Sequence, residues 1–186
     1  MVGNDIVDIQ EAKKNSNWQR TRFLEKLFTT RERHLISNSK DSFLMVWRLW
    51  SMKEAAYKLY TQLHPSRFYN PKAFECVIEN TSRSVIYKDF ECCVETKVTS
   101  NYIISEARIN PSRMTSQTIL FSGDNSENKS AVLKARLLEM ISTANDISIT
   151  CLNFSKSEFG IPTVNYKSKS INVSLTHHGN YGAIAI

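Results

Sequence analysis

The chain has 186 residues, 41% of them hydrophobic and 23% charged, with only 5 glycines and 4 prolines. That size suits one compact domain or two small, closely packed halves; the composition excludes disorder over most of the length, and no flexible interdomain linker is visible. The net charge is +6, and residues 1 to 60 carry +4 of it, with 11 Lys and Arg against 7 Asp and Glu; such a basic surface suits an acidic partner (nucleic acid, anionic membrane, nucleotide or acidic protein) or is simply a solvated face.

VGNDIVDI, residues 2 to 9, reads as a short apolar strand interrupted by acids. Residues 10 to 37 read as helical, with Phe23, Leu24, Leu27 and Phe28 as an apolar stripe and Lys13, Lys14, Arg20, Arg22 and Lys26 around it. Thr29 or Thr30 caps a second short helix, because Glu32 follows closely. Asp41 or Ser42 starts a long helix that reaches about Leu63, and Pro65 and Pro71 bracket the loop after it. FECVIEN, SVIYK, ECCVETKV and YIISEARI are short, β-branched and aromatic, which predicts an antiparallel meander. TILFS (118 to 122) is a further strand and GDNSENKS a polar loop. Ser130 to Thr143 is an amphipathic helix through Val132, Leu133, Leu137, Leu138 and Ile141. ISITCLNFS, INVSLTHH and YGAIAI close the chain as strands, with FGIPTVNYKSKS as loop or hairpin between the first two. The order of strand, helix and antiparallel strands thus runs twice, over about 1 to 110 and 115 to 186, which predicts an α+β fold with helices packed on antiparallel sheets.

The four cysteines, Cys76, Cys92, Cys93 and Cys151, form no C-x-x-C pair. A zinc site or a disulfide framework is therefore not expected, and free thiols fit a reducing compartment. The start MVGNDIVDI has two acids and no basic segment, and no apolar run approaches membrane-spanning length. A cytoplasmic protein without a membrane segment is the expectation.

RLWSMKEAAYKL, residues 48 to 59, carries the chemistry. Glu54 and Lys58 are spaced i, i+4 and share one helix face, with Lys53 rotated from them by about 100°. A surface Glu–Lys pair is the plain reading of that spacing. The flanks are apolar nearly all round, however: Phe43, Val46, Trp47, Leu49, Trp50, Met52, Ala55, Ala56 and Leu59. Charges on such a helix must be paired, solvated in a cleft, or bound to a metal or phosphate. Asp5 and Asp8, three apart on a strand, point to opposite faces, so one faces inward and the other begins the following helix as a cap. One inward Asp with Glu54 is a hard oxygen pair suited to Mg²⁺, and lysines beside it suit phosphates.

These segments together resemble the 4'-phosphopantetheinyl transferase superfamily. The resemblance rests on G-x-D-I-V-D-I near the N-terminus and W-S-M-K-E-A-A-Y-K-L some 45 residues later. FGIP, INVSLTHHGNYGAIAI and LFTTRER add to it, while residues 75 to 150 match only in texture. It implies transfer of the phosphopantetheine arm of coenzyme A to a serine of an apo acyl or peptidyl carrier protein, releasing 3',5'-ADP. By motif position, Asp5 and Glu54 would hold Mg²⁺ with the coenzyme A pyrophosphate. Lys58 would contact that pyrophosphate and protonate the leaving ADP. Glu54, or a metal-bound water, would deprotonate the carrier serine. His177 would hold the 3'-phosphate, and Lys53, Ser174 and Gly160 join the coenzyme-binding set. The basic residues Arg20, Arg22 and Lys26 would dock an acidic carrier protein, where charge complementarity speeds encounter and makes it salt-sensitive.

Three departures stand out. The family's G-K-P lysine is Ile161, leaving Lys156, Lys167 and Lys169 as candidates for that contact. The D-x-E of the larger members has Val7 at its second acid, the acid being Asp8, as in the short holo-acyl-carrier-protein synthase type. His178 adjoins His177, and strand alternation lets only one of them face the site. The expected architecture is a single domain over 1 to 186 with two pseudo-symmetric halves, 1 to 112 and 113 to 186, in an order permuted relative to the surfactin type. A monomer with its site at the junction is favoured over a homo-oligomer with intersubunit sites. Two rivals remain: an inactive relative that binds coenzyme A or a carrier protein, and a basic nucleic-acid-binding module. The second would need exposed aromatics between the Lys and Arg residues, whereas the aromatics fall at apolar positions.

Overall fold

The structure, a computed structural model, describes residues 1–68, 70–79, 83–121 and 128–186. Its first part runs β1 (Gly3–Asp8), α1 (Ile9–Asn15), α2 (Phe23–Leu27), α3 (Thr30–Ser37) and α4 (Ser42–Leu63). A 3₁₀ turn (Pro71–Ala73) leads to β2 (Glu75–Ile78), β3 (Arg83–Tyr87), β4 (Phe90–Val98) and β5 (Tyr102–Arg108). The strands form one antiparallel sheet in the order β1-β5-β4-β3-β2. α4 starts where the Asp41 carboxylate accepts from Leu44 N. It contains no Gly or Pro over 22 residues and ends ahead of Pro65. Its apolar residues Val46, Leu49, Met52, Ala56 and Leu59 are fully buried with Val85, Cys92 and Val94 of the sheet.

The second part runs β6 (Gln117–Leu120), α5 (Lys129–Asn145), a 3₁₀ turn (Ile149–Cys151), β7 (Asn153–Lys156), β8 (Pro162–Tyr166), β9 (Lys169–Asn172), β10 (Ser174–His178) and β11 (Tyr181–Ala185). Two three-stranded sheets result, β10-β11-β6 and β7-β8-β9. Leu133, Leu137 and Ile141, one stripe of α5, pack with Phe121, Val164, Val173 and Ile184. The fold is α+β, with helices packed on antiparallel sheets. In each part the first strand pairs antiparallel with the last, β1 with β5 and β6 with β11. The connection between the parts is pinned by buried Glu106, whose carboxylate accepts from Arg108 Nε and from the Thr115 and Ser116 amides. Burial pushes that carboxyl up, but the hydrogen bonds from Ser116 and Arg108 outweigh it and hold it below the usual glutamate range.

Three readings of the sequence are corrected. Residues 10 to 37 are not one helical run: α1 stops at Asn15, and residues 16 to 22 form turns that end with Arg22 in the left-handed region (φ 66°). Ser16 and Asn17, which favour local side-chain bonds over helix, open that break. ISITCLNFS is a 3₁₀ turn followed by β7, and the expected strand INVSLTHH is divided at Val173 between two sheets. FGIPTVNYKSKS, expected as loop or hairpin, supplies β8 and the turn into β9 and is the hairpin. Residues 123 to 127 of the GDNSENKS loop, with Ser122, Asn80 and Tyr69, lie outside the described residues. Among the described residues no helix is long and apolar enough to cross a membrane.

Gly3 sets how closely α4 lies on β1. A Cβ there would stand 2.0 Å from Ala55 O and 2.7 Å from Leu59 N, both backbone atoms that cannot swing aside. Gly3→Ala is therefore expected to lower stability by at least about 2 kcal/mol in urea titration. An unchanged midpoint would contradict this contact.

Candidate active site

The close crossing at Gly3 turns one stripe of α4 onto β1. Ser51 Oγ donates to Asp5 O (3.2 Å). Seven residues, about two turns, further on, Lys58 Nζ donates to Asn4 O (2.8 Å) and Asp5 Oδ1 (3.1 Å). Glu54 lies between them on the same stripe, at i+3 from Ser51 and i−4 from Lys58, and is half-buried. Its charge, after burial, helps push the Tyr57 hydroxyl pKa above its usual value.

From the other side comes β10, which runs parallel to β1. Asn4 N donates to Ser174 Oγ and Asp8 N to His178 Nδ1, both at 3.0 Å and both across 170 residues of chain. Between these rungs Thr176 Oγ1 donates to Asp5 Oδ1 (3.0 Å). The Asp5 carboxylate is thus held by Lys58 from the helix and Thr176 from the strand, and its side chain is only 11% exposed.

The two acids of β1 part as strand alternation requires. Asp8 Oδ1 caps α1 by accepting from Gln10 N and Glu11 N, and its Oδ2 accepts from Asn180 N in the β10–β11 turn. Both oxygens are engaged by backbone amides, which makes Asp8 a clamp between the two parts. The adjacent histidines part as well. His178 is tied to the Asp8 amide, while His177 is exposed. Partial burial, the positive charges of Lys129 and Lys58 and the neighbouring His178 hold the His177 imidazole below the usual histidine range.

Lys53 lies elsewhere, and its expected coenzyme contact is corrected. Its ammonium forms a 2.7 Å ion pair with Glu32 Oε1 and donates to Pro71 O (3.0 Å) and Phe74 O, which uses all three of its N–H donors. Both partners are almost fully buried. The helical rotation of 100° from Glu54 carries it under α3 instead of toward Asp5.

A pocket of about 200 Å³ opens beside Lys58, between α4, the β7–β8 hairpin and the start of β10. Gly160 and Ser174, both expected at the site, line it together with Tyr57 and Lys156. Gly160 adopts φ +80°, which the hairpin turn demands, and a Cβ there would meet nothing within 4 Å. Gln62 closes one end, bonding Val2 N and O and Val173 O. Of the other lysine candidates, Lys167 sits in the β8–β9 turn and Lys169 lies over the Tyr166 ring.

Arg20, Arg22 and Lys26 are all exposed, on the turns after α1 and on the short α2 instead of one continuous helix. Arg20 and Lys26 rim an open depression with Phe23, Leu27 and Trp50 in its wall. The sequence reading did not single out Thr176, although its alternation with Ser174 and His178 marks the same strand face. Nor did it single out Lys129, which donates to Gly179 O and reaches His177 only through the packing of α5.

Asp5 and Glu54 give two hard carboxylates, one on β1 and one on the α4 stripe that crosses it. Among the described residues no group of three or more His, Cys, Asp or Glu could hold a metal ion. Such a pair fits an ion that takes one or two protein carboxylates and fills its shell with water and phosphate oxygens, as Mg²⁺ does.

A family model described as the 4'-phosphopantetheinyl transferase superfamily matches residues 1–107. No curated protein matches the chain significantly. Solved structures similar to it include "Chronobacterium ammoiniagenes apo-ACPS structure" (18% identity, 57% of this chain and 93% of that one, TM-score 0.49). Others are the Helicobacter pylori holo-acyl-carrier-protein synthase in complex with coenzyme A (14%, 59% and 100%, TM-score 0.45) and the Thermotoga maritima holo-acyl-carrier-protein synthase (15%, 91% and 83%, TM-score 0.46).

Proposed function

The chain belongs to the 4'-phosphopantetheinyl transferase superfamily, and from that premise we propose that it transfers the phosphopantetheine arm of coenzyme A to a serine of an apo carrier protein, releasing 3',5'-ADP. The observation that carries this reading is the α4 stripe of Ser51, Glu54 and Lys58 laid on Asp5. It sets the Lys58 ammonium on the Asp5 carboxylate, at the junction of β1, α4 and β10, with Glu54 on the same helix stripe. Asp5 and Glu54 would hold Mg²⁺, whose charge would offset that of the coenzyme A pyrophosphate.

The rest of the chemistry belongs to the chain's own groups. Displacement at phosphorus is governed by positioning and charge neutralisation, with little covalent work for the protein. Glu54 takes the proton of the carrier serine as its oxygen bonds to phosphorus. Lys58, aimed by Asp5 and the Asn4 carbonyl, gives a proton to the phosphate oxygen of the departing 3',5'-ADP. Thr176 and Lys58 together fix the Asp5 carboxylate, so little reorientation is needed when substrate arrives. The protein acts as a single domain over its 186 residues, its two parts related as pseudo-symmetric halves, and as a monomer in the cytoplasm. The test is the intact mass of an apo acyl carrier protein after incubation with the protein, coenzyme A and Mg²⁺. A gain of one phosphopantetheine group, abolished by EDTA, is expected. No gain on fatty-acid and peptide-type carriers, with coenzyme A still bound, would mean an inactive relative.

His177 holds the 3'-phosphate in this reading, which gives a pH signature. The free imidazole titrates below the ordinary histidine value, and a phosphate beside it would stabilise the charged form. Binding then takes up a proton. Affinity for coenzyme A is expected to strengthen as pH falls through the raised pKa of the complex, and to level off below the depressed pKa of the free protein. His177→Gln should retain only the titration of the phosphate itself. Calorimetry at several pH values checks this, and identical profiles would remove His177 from the site.

The carrier protein docks on the basic rim of Arg20, Arg22 and Lys26, with Trp50 and Phe23 in the adjoining depression. Arg22→Glu with Lys26→Glu is expected to raise the carrier KM by about tenfold or more and flatten its salt dependence, with kcat nearly unchanged. Steady-state kinetics at two salt concentrations decides; an unchanged KM would place docking elsewhere.

A further inference from the structure

Two arginines away from the proposed active site stand without a counter-charge, and the inference they carry does not depend on the proposed function. Arg48 lies on α4, ten residues before Lys58 and about 15 Å from it along the helix. Arg83 opens β3 and alternates with Val85 and Tyr87, which places it on the sheet face that α4 covers. β2 brings the two segments together: Cys76 Sγ donates to Leu49 O (3.6 Å), next to Arg48, while Ile78 of the same strand pairs with Arg83. Burial, and then the positive charge of Arg83, hold the Arg48 guanidinium below the usual arginine range. The acidic group that also acts on it is the Cys76 thiol, and burial pushes that thiol well up, so it carries no charge near neutral pH. Glu32, the buried carboxylate of α3, is already committed to Lys53 and Cys76 N. Among the described residues neither arginine forms an ion pair, and the Nε of each is closed to solvent with no acceptor. Both side chains are only half-buried, so solvent reaches them at their Nη ends.

Neighbouring guanidiniums repel, and each has lost hydration where its Nε is covered. A dianion between the open ends offsets the repulsion. The planar fork of arginine matches the spacing of phosphate oxygens, and a tetrahedral ion has oxygens enough for both forks at once. We propose that Arg48 and Arg83 form a second anion site, which binds a phosphate group, free or as a phosphomonoester, between their Nη ends. The ion bridges α4 to β3 and, by binding the folded chain alone, stabilises it.

Calorimetry and thermal unfolding of the full chain test this, with inorganic phosphate and with glycerophosphate titrated at constant ionic strength. Wild type is compared with Arg48→Gln, Arg83→Gln and Arg48→Lys, and with Arg113→Gln as a control at an exposed arginine between the two parts. The expected result is a phosphate-binding event that both glutamine variants weaken by at least about tenfold and Arg113→Gln leaves unchanged. Arg48→Lys, which keeps the charge and loses the fork, should fall between them. Phosphate should raise the wild-type melting temperature and have little effect on that of either glutamine variant. In phosphate-free buffer those variants should melt no lower than wild type, since each removes one of two repelling charges. Binding of inorganic phosphate alone assigns the free ion; equal binding of glycerophosphate assigns a monoester whose organic part projects into solvent. Wild-type phosphate affinity in both glutamine variants would place the ion elsewhere, such as beside Lys58, and overturns the proposal. So does a wild-type protein that binds neither probe. Lower melting of both glutamine variants in phosphate-free buffer, with no phosphate effect on wild type, would make the two arginines packing residues and overturn it as well. Carrier loading is not the readout, so none of these outcomes touches the proposed function.

Discussion

Glu54→Gln and Asp5→Asn are each expected to slow carrier loading by at least about a hundredfold, with the melting temperature changed far less than by the core substitution described below. Each replacement keeps size and hydrogen bonding but removes the negative charge that Lys58 and a divalent ion would meet. The two differ in what they disturb. Asp5 is buried and holds Lys58 Nζ at 3.1 Å and Thr176 Oγ1 at 3.0 Å, so Asp5→Asn leaves the ammonium with neutral acceptors only, the Asn4 carbonyl and the new amide oxygen. Glu54 is more open and carries the base role only in the proposed reaction, so Glu54→Gln should leave coenzyme A binding in the absence of metal nearly intact. Single-turnover mass spectrometry of the carrier, with calorimetry for coenzyme A and for Mg²⁺, separates these effects. Near wild-type loading by Glu54→Gln would remove it from both its roles. Retained Mg²⁺ affinity in both variants would argue against the carboxylate pair as the ion site.

Lys53→Met is expected to destabilise the protein by about 3–5 kcal/mol, because it leaves the Glu32 carboxylate buried without its counter-charge. At this chain length that corresponds to a melting temperature lower by about 6–20 °C. Glu32 is the centre of a buried knot. It completes a capping box with Thr29 at the start of α3, and its Oε1 accepts from Cys76 N as well as from Lys53. Lys53 in turn bonds the carbonyls of Pro71 and Phe74, so one ion pair joins α3, α4 and the approach to β2. Adding Glu32→Gln to Lys53→Met should recover part of the loss, since no uncompensated charge remains. Thermal and urea unfolding of the two single variants and the double variant check the cycle. A double variant worse than Lys53→Met alone would mean that the pair's partners, more than its charges, hold the knot. Lys53→Met should also leave coenzyme A affinity unchanged in whatever fraction stays folded.

Much of the fold is legible in the sequence because local rules govern it. Asp41 before an apolar run without Gly or Pro fixes the start and the length of α4. Thr29 and Glu32 spell a capping box that the structure contains. The meander β2 to β5 follows from short β-branched segments between polar turns. Where the reading fails, local preference is nearly balanced. Residues 16 to 22 are charged and polar enough to sustain a helix, yet Ser16 and Asn17 break it. The strand expected over 171 to 178 has no internal break signal, and it is the competing pull of two sheets that parts it at Val173.

The sequence by itself determined which residue types were available to a site: two strand acids three apart, and Glu54 and Lys58 one helical turn apart on a helix too apolar to carry idle charge. Period-2 and period-3.6 geometry are local properties, so they are written in the spacing. Only the tertiary structure decided which of those charges meet. It sent Asp5 to Lys58 and Thr176 and made Asp8 a clamp on Asn180. It gave Lys53 to Glu32, tied His178 to a backbone amide and brought Lys156 to the pocket wall. The reason is that an ionic partner is chosen by where helix and sheet pack. That packing depends on contacts such as Gly3 against Ala55 and β1 beside β10, between residues 52 and 170 positions apart in the chain.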